Sequence, residues 1–441
     1  MRAVGDALRA EPPLLRGALD GQFHAELRHR HRRRARDEAR RPRGAPIAGH
    51  EDQHRGPDDP RARPLVRELS RHPGAGQVRG GLPVGPAAPE PLRSARIIPH
   101  SRPTLSDDDA ERVARVVRGG QLAQGPEVAG LERELARYLG VAAAAAVSSG
   151  SAALELALRA LDVDAGHEVI VPTYACDAVY HAVTRCGATP VLADADPETL
   201  GLSAADAARR RTARTRAVIV VHPFGLAVDL GDFQRLGVAL VEDCAQTLGA
   251  MLGGRPVGAR GGLAVCSFYA TKLFTTGEGG AVAGPAELVA RARDARDYDE
   301  RSELAVRFNY KMTDMQAALG RGQLARLDAF IARRRALAAR YRAALARAAH
   351  CRVPGDAGER HVYHRFVVAV DRPLDPILAH LERRGVAARR PVFRPIHRAL
   401  GLSGYPNAER LWAQCLSLPC YPLLTDHEAD TVAAALAEAL A

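Results

Sequence analysis

Residues 267–280 read Ser-Phe-Tyr-Ala-Thr-Lys-Leu-Phe-Thr-Thr-Gly-Glu-Gly-Gly, with Lys272 at their centre. The chain carries 62 Lys and Arg together, yet only Lys272 and Lys311 are lysines. Where positive charge alone suffices, this protein uses Arg. A lysine amine can shed its proton and attack a carbonyl, whereas a guanidinium stays protonated. Lys272 follows Ser267 and precedes a Gly-rich turn. That is the layout of a Schiff-base lysine beside a phosphate site. The plain alternative is a surface lysine without chemistry, and the surrounding sequence decides between them.

Upstream, apolar β-branched runs alternate with helical segments. The runs 168–174, 189–196, 217–225, 239–246 and 263–269 predict buried strands. Connections of about ten or more residues imply crossovers and a mainly parallel sheet. Ligands of such sheets bind beyond the carboxyl ends of the strands. Tyr174, Asp243, Gln246, Ser267 and Lys272 all fall at those ends. An acid ending an apolar strand is costly unless partnered. Asp243 can cap the next helix, or hold a proton on a ring nitrogen, as pyridoxal phosphate requires. Gln246 could reach the same ring edge. Tyr174 could stack on the ring or simply belong to the core.

Further upstream, Val147-Ser148-Ser149-Gly150-Ser151-Ala152-Ala153-Leu154 leads small residues into a helix. Backbone N–H groups at such a start make an anion site, although an ordinary cap would look the same. Ser106 with Asp107, Asp108 and Asp109 predicts a helix start, running to Arg118 and stopping at Gly119-Gly120. A second helix is expected over 127–139, ending at Gly140, and another over 177–186, ending at Gly187.

Downstream, Thr313 and Gln316 form a capping box ahead of a long helix over 314–347, with a break near Gly320 or Gly322. Residues 361–370 alternate like a strand, 375–384 read as helix, and a last helix starts at Asp426. His361 and His364 would point to opposite faces of a strand, so no shared metal is expected. His397 reads as a solvated loop histidine. Arg384, Arg389, Arg390 and Arg394 lie near the presumed cleft, suited to a diphosphate or to a solvated basic face.

Composition bounds the function. At 441 residues and 46% hydrophobic, the chain has room for about two or three domains. No run of about 18 apolar residues predicts a membrane span. Seven cysteines, odd in number and without a C-x-x-C pair, suggest buried thiols in a reducing compartment, the cytoplasm. The net charge of +11 is uneven. Residues 1–95 hold 19 Arg against 12 acids, hence +7, and 12 of the 29 prolines. Such a segment lacks the apolar periodicity of a core and is expected to be a disordered basic extension. The remaining +4 does not call for a nucleic-acid partner. The large domain is expected over 96–335 and a smaller α+β domain over 336–441.

From Ile97 onward the chain resembles the DegT/DnrJ/EryC1/StrS family of sugar aminotransferases. The likeness rests on residues 149–154, on Glu242-Asp243-Cys244-Ala245-Gln246, on 267–272 and 275–280, on Asn309-Tyr310-Lys311-Met312-Thr313, and on Leu416-Ser417-Leu418-Pro419. It implies an α/β chain of aspartate-aminotransferase type, the pyridoxal-phosphate fold type I. By position it implies that Lys272 is the Schiff-base lysine and catalytic base, and that Asp243 pairs with the pyridinium nitrogen. Gln246 would contact the ring hydroxyl and Tyr174 would stack on the ring. Ser151, Ala152 and Ser267 would hold the phosphate, and Asn309 would reach the phosphate of a neighbouring subunit. The implied activity moves an amino group from glutamate to a nucleotide-linked keto-sugar, in a homodimer. Ser151, Cys176 and Leu226 depart from the family pattern where a Thr, a small hydroxyl residue and a Gln are usual. Relatives with His at the Lys272 position run dehydration instead. A regulatory relative without catalysis is the other alternative, and Lys272, Asp243 and Ser267 argue against both.

Overall fold

A computed structural model describes residues 97–355 and 358–441. The expected basic extension therefore lies outside the described residues. The first helices follow their capping signals. α1 (Asp107–Gly119) opens on Ser106, whose hydroxyl and backbone complete a capping box with Asp109. α2 (Pro126–Leu139) ends at Gly140 in the left-handed conformation. β1 (Ala143–Val147) then runs into α3 (Gly150–Ala160), capped by Ser149. β2 (Glu168–Pro172), α4 (Ala178–Arg185), β3 (Thr189–Ala193), β4 (Thr215–Val221), β5 (Ala239–Asp243), β6 (Leu263–Ser267) and β7 (Gly280–Gly284) follow.

These strands form one seven-stranded sheet in the order β1-β7-β6-β5-β4-β2-β3. β2 to β6 pair parallel, and β7 runs antiparallel to both of its neighbours, so the expectation of a mainly parallel sheet holds. Each predicted strand is present but ends two to four residues earlier, because the chain leaves the sheet to build loops at the carboxyl edge. Sequence patterning missed β1 and β7. Their Ala and Gly residues have little strand propensity. Burial on both faces selects them instead: Ala145 and Val147 enter one apolar cluster, Ala144 and Ala146 the other. α3 and α4 cover the first face, and α2 covers the second.

After the sheet come α5 (Asp314–Leu324), with the expected Thr313–Gln316 capping box, and α6 (Leu327–Leu345). The expected break exists, but it falls at Ala325-Arg326, not at the glycines. Gly320 and Gly322 lie inside α5, where an added Cβ would stand 2.7 Å from Thr276 and 2.8 Å from Arg112, so close packing rather than a break accounts for glycine there. A three-stranded antiparallel sheet of β8 (Cys351–Arg352), β9 (Phe366–Val370) and β10 (Cys415–Leu418) has its own core. α6, α7 (Leu374–Arg383) and α8 (Asp426–Leu440) pack into that core. The expected strand over 361–370 begins only at Phe366. Residues 361–365 instead bind the loop after β4: Val362 N–H donates to Gly225 O at 2.9 Å and Arg365 N–H to Phe224 O at 3.0 Å.

Candidate active site

The carboxyl ends of β2, β4, β5 and β6 and the start of α3 meet at one cavity of about 490 Å3. Lys272 projects into it from the turn after β6. That turn is pinned from below by Phe268 and Phe274, buried rings stacked 4.6 Å apart. Lys272 N–H donates to Tyr269 O at 2.9 Å, and Thr276 N–H returns to Phe268 O at 2.9 Å. The amine has no hydrogen-bond or ion-pair partner within reach among the described residues. Burial lowers its pKa, with Asp243 opposing. The free amine that attack requires is therefore closer to neutral pH than in a solvated lysine.

Asp243 ends β5 and is buried at 8% exposure. Its Oδ1 accepts the Ala245 N–H at 3.0 Å, and burial raises its pKa. Among the described residues no basic side chain lies within ion-pair distance of it. Gln246 Oε1 accepts the Phe224 N–H at 3.0 Å, and Gln246 lines the cavity. Ser151 and Ser267 line the same cavity.

The cavity thus gathers Ser151, Tyr174, Asp243, Gln246, Ser267 and Lys272. Two expected residues stand apart. Ala152 is buried in the core, and its N–H donates to Ser149 Oγ at 3.1 Å as the helix cap, so of the three residues expected at the phosphate only Ser151 and Ser267 line the cavity. Asn309 is exposed outside its own chain's cavity. Tyr174 lines the cavity but is only 3% exposed. Its ring meets Phe224 edge-on and its hydroxyl reaches Leu411 O at 3.5 Å. Cys176, by contrast, is exposed and lines the same cavity as Lys272. The expectation of buried thiols fails there, since the loop after β2 turns Cys176 into the cavity.

Two other expectations are corrected. His397 is not solvated: it is 1% exposed, its Nδ1 meets Thr173 Oγ1 at 2.8 Å and its Nε2 meets Glu409 Oε1 at 2.7 Å. A buried imidazole is tolerated because both nitrogens are satisfied. Lys311, the second lysine of the chain, is no unclaimed cation. Asp297, at 2.9 Å, and Asp299 neutralise it. Arg384 pairs with Glu438 and Arg390 with Asp375, so neither is an unclaimed cation.

Sequence reasoning also missed His364 and Arg365 as cavity residues. His364 is buried, with Nδ1 lacking a partner, and burial followed by Lys272 pushes its pKa well down. Arg334 holds its loop, donating to the carbonyls of Tyr363, His364 and Cys420. The H-x-x-H spacing was visible, but only the loop's docking onto Gly225 turns His364 toward Lys272.

These residues fit pyridoxal phosphate. A buried carboxylate without a cation matches a pyridinium N–H, an unpaired amine matches the aldehyde, and two hydroxyls beside the start of α3 match the phosphate. The fold and site define a fold type I aminotransferase. A family model, the DegT/DnrJ/EryC1/StrS aminotransferase family, matches residues 103–437, and the chain belongs to that family. It is 37% identical over 343 residues to dTDP-3-amino-3,4,6-trideoxy-alpha-D-glucose transaminase of Streptomyces venezuelae, covering 74% of this chain and 90% of that one. It is 36% identical over 334 residues to GDP-perosamine synthase of Caulobacter vibrioides, covering 70% and 89%. The solved structure of Spr1654 from Streptococcus pneumoniae in its PLP-form superposes with a TM-score of 0.74 at 26% identity, covering 78% of this chain and 98% of that one.

Proposed function

We propose that this chain transfers an amino group from an amino acid, glutamate, to a keto-sugar carried on a nucleotide. Pyridoxal phosphate is the cofactor, and a cytoplasmic homodimer is the working unit. Residues 96–335 act as its large domain and 336–441 as its small one. One observation carries the reading: Lys272, whose amine has no partner, and Asp243, which has no cation beside it, face one cavity, and that cavity adjoins a larger arginine-lined chamber. The names of both relatives, which carry dTDP and GDP sugars, support the substrate class and leave the base open.

When bound, pyridoxal phosphate supplies a carbonyl that condenses with amines and a ring that draws in the electrons of a broken Cα–H bond. Asp243 holds the ring nitrogen protonated. Ser151 and Ser267 hold the phosphate by their hydroxyls. Lys272 would hold the cofactor through its amine and, once free, would act as the base that takes and returns the proton at the substrate carbon. Its depressed pKa suits that base role at neutral pH. Gln246 bridges Phe224 N–H and the ring edge, so the loop after β4 and the cofactor are positioned together. Asn309 completes the phosphate site of the neighbouring subunit.

The test is a single-turnover spectrum of the bound cofactor. Glutamate is expected to convert it to the amine form, and a nucleotide-linked keto-sugar to restore the aldehyde form. The free sugar is expected to do so much less well, because remote binding energy is lost. Rapid restoration by small keto acids, with failure of every nucleotide-linked keto-sugar, would mean a different acceptor.

A further inference from the structure

Among the described residues three buried polar side chains line the Lys272 cavity: Tyr174, Asp243 and His364. The Tyr174 hydroxyl reaches Leu411 O, and Asp243 accepts from Ala245 and serves the ring nitrogen in the reading above. His364 has no task in that reading. It is 7% exposed, and its Nδ1 is buried without a partner. A buried ring nitrogen left unbonded is destabilising.

Backbone strain marks how it is placed. Tyr363, just before it, has φ 49°, and Phe224, on the loop docked against it, has φ 58°. Bulky residues avoid the left-handed region, and such conformations persist only where the surroundings over-determine them. Here they do. The Tyr363 ring stacks on His361 with centroids 3.9 Å apart. Arg365 N–H donates to Phe224 O, and buried Arg334 donates to the carbonyls of Tyr363 and His364. Phe224 N–H is also the group that Gln246 holds. One pair of strained loops therefore fixes both His364 and Gln246 at the cavity.

The surrounding charges set its protonation. Lys272, Arg365, Arg334 and His100 face the imidazole, and burial, followed by Lys272, pushes its pKa well down. At neutral pH it is uncharged, with one ring nitrogen a donor and the other an acceptor. Lys272 is the complementary group. It lines the same cavity, and its amine is likewise unpaired. The other ionisable groups facing that amine are Asp243, Cys176 and Arg365. Arg365 has only donors, Asp243 serves the ring nitrogen, and a thiol is a weak acceptor. The flexible four-carbon stem lets the amine turn to the imidazole when it is not joined to a cofactor. An amine that donates one N–H to a fixed acceptor keeps its lone pair free for a proton on carbon. A neutral acceptor does this without the pull toward ammonium that a carboxylate would exert.

We propose that His364 is a positioning residue for Lys272: its imidazole accepts a hydrogen bond from the unlinked amine and aims that amine at the substrate carbon. The pairing deepens the function proposed above and rests on it for the role of the amine, but the pairing itself can be read without any substrate.

Competitive acetylation of the full-length, cofactor-free chain across pH, read by mass spectrometry, tests it. The chain has only two lysines, and Lys311, held by Asp297 and Asp299, is the internal reference. An acceptor favours the ammonium over the amine, because a charged donor makes the stronger hydrogen bond. In His364→Leu the Lys272 midpoint should therefore move to lower pH. In His364→Gln, whose amide oxygen can accept, it should stay near the native position. In the holoenzyme kcat for amine transfer should fall about tenfold or more in His364→Leu, and His364→Gln should recover part of the loss. A native midpoint in His364→Leu overturns the pairing, as does a His364→Gln protein no better than His364→Leu. If His364→Leu misfolds, ring-nitrogen NMR of the histidine-labelled native chain carries the test. Lys272→Ala should then shift the acceptor signal that His364→Gln lacks, and an unmoved signal counts against the pairing. If the midpoint depends on His364 while no nucleotide-linked keto-sugar is aminated, the pairing stands and the function is wrong. If such sugars are aminated and the midpoint ignores His364, the function stands and the pairing is wrong.

Discussion

At the scale of the residue, Lys272 is distinguished by what it lacks. In a chain that meets nearly every need for positive charge with Arg, its amine is buried in the cavity without a partner. Lys311, the other lysine, is tied to Asp297 and Asp299 and bridges by its backbone to Val147. The same residue type therefore does two jobs, and burial with pairing tells them apart. Lys272→Ala is expected to lower amine transfer by at least about 100-fold. Borohydride treatment of the native protein should fix the cofactor to the peptide containing Lys272, read by mass spectrometry. Label on the Lys311 peptide instead would reverse the assignment.

At the scale of the element, close approach builds the anion site. α3 starts where β1 ends, and Gly150 lies so near β6 that an added Cβ would stand 2.7 Å from Ser267 Cβ. Gly150→Ala should cost about 1–3 kcal/mol by overpacking and push the Ser267 hydroxyl out of place. Cofactor affinity, measured by absorbance titration, should fall more than thermal stability predicts; unchanged affinity would detach α3 from the phosphate site. The loop after β4 has a similar constraint. Gly225 has φ 105°, and a Cβ there would meet His364 N at 2.6 Å. Gly225→Ala should displace His364 and Arg365, reducing stability by on the order of 1–3 kcal/mol. It should also raise KM for the acceptor more than for glutamate. Equal changes in both would place the loop outside acceptor binding.

At the scale of the whole molecule, three buried histidines set the response to acid. Burial, aided by nearby cations, holds His100 and His361 near pKa 3 and His364 well below its ordinary value. Above about pH 6.5 these groups are neutral in both folded and unfolded chains and add no pH dependence. As pH falls below that, the unfolded chain takes up protons that the folded chain refuses until about pH 3. Stability should drop by about 1.4 kcal/mol per pH unit for each such proton. Denaturant melts at pH 7.5, 6.5 and 5.5 check this; equal stabilities at pH 7.5 and 5.5 would contradict it. Assembly is tested by mixing. If Asn309 completes a neighbour's phosphate site, heterodimers of Lys272→Ala with an inactive Asn309→Ala should regain activity. Verified mixed dimers without activity would place each site within one chain.

The sequence by itself determined the elements with local causes. Capping residues at Ser106 and Thr313 started helices where expected, and Gly120 and Gly140 stopped them, since these signals act within a turn. The apolar runs placed β2 to β6, and with them Asp243, Ser267 and Lys272 at one edge, because side chains buried on both faces must be apolar throughout. Only the tertiary structure decided the rest. The Ala-rich β1 and Gly-bounded β7 are strands because two helical layers enclose them. His397 is buried because Thr173 and Glu409, distant along the chain, satisfy its nitrogens. Four arginines looked alike in sequence. Partners at Asp375 and Glu438 removed Arg390 and Arg384 from consideration, while folding brought Arg365 beside Arg389 with no carboxylate between them. A charge has no role until its neighbours are known, and those neighbours come from remote segments.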